Sequence, residues 1–262
     1  MNGRYTTQLG AGLGLIDETV ILLDLWQPGM NAPDLYRAAL QSGNFGTISA
    51  RRVHDMIAVG FGPRYLADDA APALLLKTIK DAVPKGAFEQ MLFLYTARAH
   101  LVLADFVRDV YWSAYGAGKS TLSNEESLQF VEAAVREGKT TMTWSPQMVR
   151  RVSSYLTGCC ADFGMLERGA LRVRRILPYR VEPLVATLLA YDLHSAGQGD
   201  NQLLAHPDWA LFGLQRDDVL AELKRAALQG ALIVQSAAGV TRISWIYSGM
   251  EELANVIAQR QL

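Results

Sequence analysis

The segment from Ala87 to Tyr115 constrains the fold more than any other part of the chain, because it is apolar nearly all round. Its most apolar part, MLFLYTARAHLVLADFV, is interrupted by Arg98, His100 and Asp105. A membrane span needs about 18 consecutive residues with few or no charges, so this segment is too interrupted to cross a bilayer. A helix that is hydrophobic all round is buried in protein. We therefore expect a central core helix here, and a break near His100 stays open.

Elsewhere the apolar residues recur mainly every three or four positions, which predicts a mainly α-helical protein. Helices are expected over residues 17–26 and 33–41, and a third helix is expected after Thr47 as its N-cap. Arg51 points away from the apolar face of the third helix, and Arg52 lies on the flank. The residues predicted to form that apolar face are Val53, Met56, Ile57 and Gly60. A short helix, a glycine-bearing turn and a second helix with outward arginines is the order of a helix-turn-helix.

Residues 123–180 carry the signals of a winged-helix-like module. Ser123 and Glu126 form a capping box that begins a helix towards Glu137, and Gly138 ends it. A further helix begins at Pro146, with Ser145 as its N-cap. A helix, a turn and a second helix are thus predicted in succession.

The second of these helices should have a buried and an exposed face. The predicted buried face comprises Met148, Val152, Tyr155, Leu156 and Cys159, and the predicted outer face comprises Arg150, Ser154 and Thr157. After it, a short hairpin is expected to turn at residues 168–170, with alternation through Arg172, Arg174 and Ile176. A basic hairpin after two helices completes the winged-helix order.

The tail repeats this order over residues 181–262. Helices are expected over 181–196 and 216–229, strands ALIVQ and VTRISWIY should pair across SAAG, and a last helix should begin at Gly249. In the second of these helices the residues spaced for burial are Val219, Leu220, Leu223 and Ala227, and the outer residues are Asp218, Glu222 and Arg225. This mixed outer face favours packing or partner binding over DNA contact.

The predicted organisation therefore has four segments. They are an N-terminal helical region with the helix-turn-helix (1–66), central core helices (67–122), a winged-helix-like module with a basic hairpin (123–180) and a C-terminal winged-helix-like module (181–262). The predicted fold class is mainly α, with helix-turn-helix and winged-helix-like modules and short β-hairpin wings.

Charge is distributed unevenly, although the whole chain carries a formal net charge of only −1. Seven arginines and two acidic residues between Ser145 and Arg180 give +5, whereas five basic and nine acidic residues from Val181 to Leu262 give −4. Binding to DNA phosphates needs converging cations, since each neutralised phosphate releases counterions. We therefore predict double-stranded DNA as a partner. The predicted contact residues are Arg51, Arg52, Arg150, Arg151, Arg172, Arg174 and Arg175.

Other interpretations of these arginines stay open. An arginine-rich hairpin can be a solvated edge that discourages strand pairing, and a helix-turn-helix can be purely structural. The DNA hypothesis requires the hairpin to fold beside the helix that carries Arg150 and Arg151, so that the arginines form one basic patch.

Two glycine-rich stretches resemble nucleotide-binding loops only in part. YGAGKST, residues 115–121, has Ser113 where the phosphate loop needs its first glycine, and it follows an apolar helix instead of a buried strand. We expect a glycine-terminated helix and a polar linker that joins two halves of the chain, with Lys119 facing solvent or contacting phosphate. GAGLG, residues 10–14, lacks the third glycine of the dinucleotide motif and is expected to be a flexible lead-in.

No catalytic, cofactor-binding or metal-binding residue is predicted. The four histidines have no ligand spacing, and the adjacent Cys159 and Cys160 suit neither an ordinary disulfide nor a chelating pair. Such cysteines suit a reducing cytoplasm, and MNGRYTTQLG at the N-terminus lacks the features of a secretory signal. We expect a cytoplasmic protein that is not an enzyme, needs no cofactor and does not enter a membrane.

Several long segments resemble the BrxA family, a small core component of type I bacteriophage exclusion (BREX) systems. These segments are LFLYTARAHLVLADFVRDVYW, CCADFGMLERG, RRILPYR, LAYDLHSAGQGDNQLLAHPDWALFGL and RISW, and the resemblance covers nearly the whole chain. It implies a mostly helical protein with helix-turn-helix motifs beside positive surface, which binds double-stranded DNA without known catalysis. The resemblance supplies this general role only, because the arginines named above come from spacing and charge.

The sequence therefore predicts a non-catalytic DNA-binding accessory protein of a BREX phage-defence system. Contacts should be mainly to phosphates, with limited base readout, because outward Asn and Gln residues are scarce on the two candidate helices. Two alternatives stay open. One is an adaptor that docks the larger BREX enzymes through its acidic tail, and the other is an enzyme such as a nucleotide hydrolase.

Overall fold

The computed structural model describes residues 4–237 and 240–259. The protein is mainly α-helical, as predicted, and the described residues form two small antiparallel sheets of two strands each. The chain divides into two compact units. Unit 1 comprises the chain up to Ala73 together with Leu92–Tyr179, and unit 2 comprises Leu74–Met91 and the chain from Arg180 onward.

The helices of the described residues, in chain order, are α1 (Ile16–Leu25), α2 (Ala32–Gln41), α3 (Ala50–Asp55), α4 (Gly62–Tyr65), α5 (Ala71–Ile79), α6 (Lys85–Ala99), α7 (Leu101–Phe106), α8 (Trp112–Gly116), α9 (Asn124–Arg136), α10 (Pro146–Asp162), α11 (Pro183–Ser195), α12 (Asp200–Leu204), α13 (Arg216–Leu228) and α14 (Met250–Ala258). The π-helical segments Met56–Phe61 and Val107–Tyr111 join α3 to α4 and α7 to α8. Short 3-10 helices cover Gln8–Ala11, Asp68–Ala70 and Pro207–Phe212. The strands are β1 (Thr121–Ser123), β2 (Val173–Arg175), β3 (Leu232–Ala237) and β4 (Val240–Trp245).

The apolar segment predicted to form the core helix is helical and buried, with a break at His100. Residues 92–97 in the second half of α6 are all buried. His100 has φ −127° and ψ 87°, so it is not helical, and its carbonyl accepts a hydrogen bond from the Leu103 N–H at 2.8 Å to begin α7. The expected core position and the break are both confirmed.

The end of this helical run is as predicted, but the polar linker after it is not. Gly118 has φ +70°, its N–H donates to the Tyr115 carbonyl, and the Lys119 N–H donates to the Ala114 carbonyl, both at 3.0 Å. These two bonds are those of a Schellman motif, in which glycine takes the left-handed position after a helix. The residues that follow form β1 instead of a linker. The strand β1 could not be predicted from nearby residues, because its partner, β2, lies about 50 residues further along the chain.

The helices α2 and α3 match the predicted pair, with a different cap and a longer connection. Ser49, not Thr47, is the N-cap of α3, because the Ser49 Oγ accepts from the Arg52 N–H at 3.3 Å. All the residues predicted to face inward from α3 and the following π-helical segment are buried. The connection covers residues 42–49, which is longer than the three or four residues of a helix-turn-helix.

The stretch GAGLG is a packed segment, which corrects the expected flexible lead-in. A Cβ atom on Gly10 would lie 2.5 Å from the Tyr155 ring of α10. The Gly14 N–H donates to the Asp162 Oδ2 at the end of the same helix, at 3.0 Å. These glycines are explained by close backbone approach to α10, which a residue without a side chain permits.

Unit 2 is organised around α11, in which residues 185–191 are all buried. The Tyr191 hydroxyl donates to the Ala231 carbonyl at 2.6 Å and so ties α11 to the start of β3. The strands β3 and β4 pair antiparallel as predicted, and the predicted turn residues Ala238 and Gly239 lie outside the described residues. The last helix begins after Gly249, again as predicted.

The outer face predicted for α13 needs one correction, at Glu222. Val219 and Leu223 are buried as expected, but Glu222 is also buried, with 7% of its surface exposed. Its carboxylate forms ion pairs with Arg225 and, at 3.6 Å, with Arg180. A carboxylate can take a position near the interior when cations pair with it. The spacing of apolar residues does not reveal such pairing.

None of the helices in the described ranges combines the length and hydrophobicity that a bilayer crossing requires. The same ranges contain no group of three or more His, Cys, Asp or Glu side chains placed to hold a metal ion. Cys159 and Cys160 are free and buried in α10, and burial raises the pKa of Cys159 to about 12. The Cys159 thiol therefore stays protonated near neutral pH, which makes it a poor nucleophile.

The break at His100 generates a testable pH dependence. Burial, reinforced by the nearby Arg64 guanidinium, lowers the pKa of His100 from 6.5 to about 3. Between these two pH values the unfolded chain binds a proton that the folded protein does not. The free energy of unfolding should therefore fall with decreasing pH below 6.5, by up to about 1.4 kcal/mol per pH unit from this residue alone.

Urea unfolding between pH 4.5 and 7.5 checks this prediction. His100→Gln should remove that part of the slope, whatever its effect on absolute stability, while His54→Gln, on the exposed side of α3, should retain it. Parallel pH profiles for the wild type and His100→Gln would contradict the prediction.

Candidate nucleic-acid interface

The start of helix α10 is stabilised by an N-cap, and a buried hydrogen bond fixes the helix against α9. The Ser145 Oγ accepts from the Met148 N–H at 3.2 Å, and Pro146 occupies the first position, so both predicted start signals are confirmed. The Ser127 hydroxyl donates to the Ser153 carbonyl at 2.8 Å, between the two helices. Because the Ser127 hydroxyl and the Ser153 carbonyl are buried and paired, α10 is held as a rigid support for its outward side chains.

Thr157 corrects the predicted outer face of α10. Only 1% of its surface is exposed, and its hydroxyl donates to the Asn124 Oδ1 in the first turn of α9 at 2.8 Å. The predicted outward positions Arg150 and Ser154 are exposed. The outer face is therefore narrower than expected, because the side of the helix that carries Thr157 packs on α9.

The first turn of α9 contains the predicted capping box and also engages Lys119. The Ser123 Oγ accepts from the Glu126 N–H at 3.3 Å, and the Ser123 N–H donates to the Glu126 Oε2 at 2.8 Å. Lys119 Nζ lies 2.9 Å from the Glu126 Oε1. Partial burial by itself raises the pKa of Glu126, but hydrogen bonds from Lys119 and Ser123 outweigh it and lower the pKa. Lys119 thus supports a helix start.

The predicted basic hairpin is present, and its second strand, β2, also pairs with β1 to form a short β1–β2 ladder. The strand β2 pairs antiparallel with β1, with Ser123 opposite Val173. On its other side, Leu166 and Ile176 form an antiparallel bridge, and the Glu167 N–H donates to the Arg175 carbonyl at 2.9 Å. The exposed turn at residues 168–170 falls where it was predicted, with Gly169 at φ +121°.

A groove of about 350 Å³ lies where α9, α10 and the β1–β2 ladder meet. Arg150 of α10 and Arg172, beside β2, both line it, although they are distant in the chain. The other lining residues are Ser123, Asn124, Glu125, Leu128, Ser153, Ser154 and Val173. Two guanidiniums, several hydroxyls and one amide can offer hydrogen bonds to an anionic ligand. Glu125 is the single acidic residue among them.

The seven arginines predicted to contact DNA occupy different environments. Arg174 has only 8% of its surface exposed, and its Nη1 donates to the Glu167 carbonyl at 2.8 Å, so it lies on the inner side of the ladder. The six that are exposed are Arg51 and Arg52 on α3, Arg150 and Arg151 on α10, and Arg172 and Arg175 beside or within β2.

Arg168 belongs to the same basic segment but has another role. Its Nη2 donates to the Asp162 carbonyl at 2.9 Å, at the C-terminus of α10. A cation there satisfies carbonyls that lack a partner within the helix and interacts favourably with the helix dipole. Part of the +5 charge of the segment therefore stabilises the fold.

Asn124 and Glu125, which line the groove beside Arg150 and Arg172, were not among the residues predicted from the sequence. Asn124 and Glu125 are the first two residues of α9, and the capping box already fixed that position along the chain. The pairing that brings β2 beside the start of α9 could not be predicted, because no pattern of neighbouring residues indicates it.

The capping box generates a prediction for the stability of this region. Ser123→Ala removes the acceptor for the Glu126 N–H and should lower the free energy of unfolding by about 1 kcal/mol, which is typical of a lost N-cap. Ser154→Ala on exposed α10 surface is the matched control and should change it by less than about 0.5 kcal/mol. Chemical denaturation of both variants measures the two free energies of unfolding. If Ser123→Ala lowered stability no more than Ser154→Ala, a stabilising role for the cap would be contradicted.

Comparison with known proteins identifies the family. The BrxA family model matches residues 3–192, which is more than half of the chain and includes all of α9, α10 and the β1–β2 ladder. No curated protein and no solved structure matches the chain. The family match confirms the resemblance seen in the sequence. The chain thus belongs to the BrxA family, a component of BREX phage-defence systems.

Proposed function

We propose that this BrxA-family protein is a non-catalytic, cytoplasmic component of its defence system that binds double-stranded DNA through α10 and the adjoining β1–β2 ladder. The contacts are mainly to phosphates, which fix a protein on a duplex without reading sequence. The single observation that carries the proposal is the groove shared by Arg150 and Arg172.

The order of elements supports a winged-helix-like module. The chain runs from α8 through β1, α9 and α10 to the bridge at Leu166, an exposed loop and β2, which returns to pair with β1. A winged helix has this succession of helix, strand, two helices, strand, loop and strand. In such a module the second of the paired helices enters the major groove, and here that helix is α10.

The distribution of side chains supports the phosphate contacts. Four exposed arginines of this module lie on α10 or on the returning segment that contains β2: Arg150, Arg151, Arg172 and Arg175. Guanidinium groups bind phosphate oxygens with paired N–H donors and cannot lose their charge near neutral pH. We leave Arg174 out of the contact set, because its bond to the Glu167 carbonyl gives it a structural role.

Arg51 and Arg52 form a second candidate contact on the first turn of α3. Both are exposed, but the connection from α2 is longer than that of a helix-turn-helix. This longer connection makes them a weaker candidate contact than Arg150 and Arg172, which line one groove.

A salt titration of duplex binding tests the proposal. The logarithm of the association constant should fall linearly with the logarithm of salt concentration, and Arg150→Ala and Arg172→Ala should each make the slope shallower by about 0.9. Arg136→Ala, an exposed substitution at the end of α9, is the matched control and should leave the slope unchanged. Arg174→Ala should lower stability without changing the slope.

Fluorescence anisotropy with a short duplex supplies the measurement. The absence of binding at about 50 mM salt, or an association constant independent of salt, would overturn the proposal, because phosphate contacts are inherently salt-dependent.

The adaptor hypothesis has its own supporting observation, in unit 2. Ile233 on β3 is 50% exposed, Val240 on β4 is 66% exposed and Leu228 at the end of α13 is 88% exposed. Apolar side chains on an exposed two-stranded sheet offer a surface for another protein. This surface and the candidate DNA interface belong to different units.

Co-purification with other BREX components after nuclease treatment distinguishes the two roles. Ile233→Ser should weaken such an association about tenfold or more, since burying a large apolar side chain contributes about 1.5–3 kcal/mol. Gln235→Ala, two residues along the same strand and also exposed, is the control. Retention of the partners by Ile233→Ser would exclude this sheet as the docking surface.

A further inference from the structure

One face of α10 presents a continuous row of exposed polar side chains. Gln147, Arg150, Arg151 and Ser154 are spaced at i, i+3, i+4 and i+7, so they lie on one side of the helix, and all four are exposed. Val149, Val152 and Leu156 are buried and pack the opposite side of the helix against the protein. The row contains no acidic residue. A ligand that binds this face of α10 would therefore contact guanidinium, amide and hydroxyl groups.

The row occupies the N-terminal half of α10, where a recognition helix contacts base edges. The helix start is fixed by Ser145 and Pro146, and its middle is fixed by the buried bonds to α9. Groups on a rigid helix can be positioned more accurately than groups on a loop. A row held in this way has the rigidity that base readout requires.

The side chains in the row differ in chemistry and in location. Arg150 lines the groove together with Arg172, which fits a shared contact to the DNA backbone, whereas Gln147 and Arg151 are not among the groove-lining residues. The amide of glutamine pairs with adenine N6 and N7, and the guanidinium of arginine pairs with guanine O6 and N7. Side chains one helical turn apart are separated by about 5–6 Å at Cβ, against a rise of about 3.4 Å per base pair. Both residues can thus reach bases at most two steps apart.

Resting on the proposed DNA binding, we propose that Gln147 and Arg151 read an adenine and a guanine within two base pairs of each other in the major groove. Arg150 and Arg172 hold the backbone beside them. The protein then has a short sequence preference superimposed on phosphate binding. This proposal goes beyond the limited base readout expected from the sequence, because Gln147 lies in an exposed row at the start of the helix.

Selection from a duplex pool with ten randomised base pairs tests the inference. The wild type should enrich a motif with adenine and guanine at that separation. Gln147→Ala should lose the preference at the adenine position, and Arg151→Ala should lose it at the guanine, each by about 5- to 150-fold, as expected for a bidentate base contact of about 1–3 kcal/mol. Gln129→Ala, exposed on α9, is the matched control and should keep the full motif.

A change of preference separates readout from a merely structural effect. Gln147→Glu should move the preference at its position from adenine towards cytosine, because a carboxylate accepts from cytosine N4. The wild-type slope of affinity against salt should persist in Gln147→Ala.

The possible failures have different meanings. Salt-dependent binding with no enriched motif, or a motif unchanged in both alanine variants, would overturn the readout and leave the proposed DNA binding intact. No duplex binding at low salt would overturn both.

Discussion

The pairing of β1 with β2 is the constraint on which the candidate interface depends. It places Ser123, at the start of α9, opposite Val173, which follows α10 in the chain. The Asn124 N–H also donates to the Arg172 carbonyl at 2.8 Å, so Arg172 is held at the first turn of α9 and in the groove that Arg150 also lines. Without this ladder, ligand binding would have to order the segment, at about 1–2 kcal/mol for each backbone residue. The fold supplies that order before any ligand arrives.

The same ladder explains why the positive segment is only partly available for binding. Adjacent residues of a strand point to opposite sides, so Arg174 lies inward while Arg175 is exposed. Arg172 precedes β2 and is also exposed. Arg168 is bonded to the last carbonyls of α10. The formal charge of the segment therefore overstates its binding capacity, and the exposed arginines on α10 and β2 are the ones that can meet a polyanion. A chain with a net charge of −1 can in this way present a local cationic surface.

Features with a local signal could be predicted from the sequence, and features that depend on distant pairing could not. The caps at Ser123 and Ser145, the Gly118 helix end and the break at His100 follow from a few neighbouring residues each. The strand β1, the packing of GAGLG on α10 and the burial of Glu222 depend on partners elsewhere in the chain. In the candidate site, convergence of α10 with the basic hairpin was a condition of the DNA hypothesis. The inward position of Arg174 was not predicted, because it depends on the pairing with β1. The four-segment division of the chain stays a prediction.

Membership of the BrxA family places the protein in a phage-defence system. The groove between α9, α10 and the β1–β2 ladder is the candidate binding site within the protein. The proposed function places a DNA duplex against this groove. Amide hydrogen exchange with and without a short duplex at low salt tests it most directly, because bound DNA slows exchange where it covers or stabilises the backbone. We predict slower exchange in peptides covering residues 145–156 and 168–176, with no change in α13. Slower exchange confined to unit 2, or none at all under saturating duplex, would contradict the account.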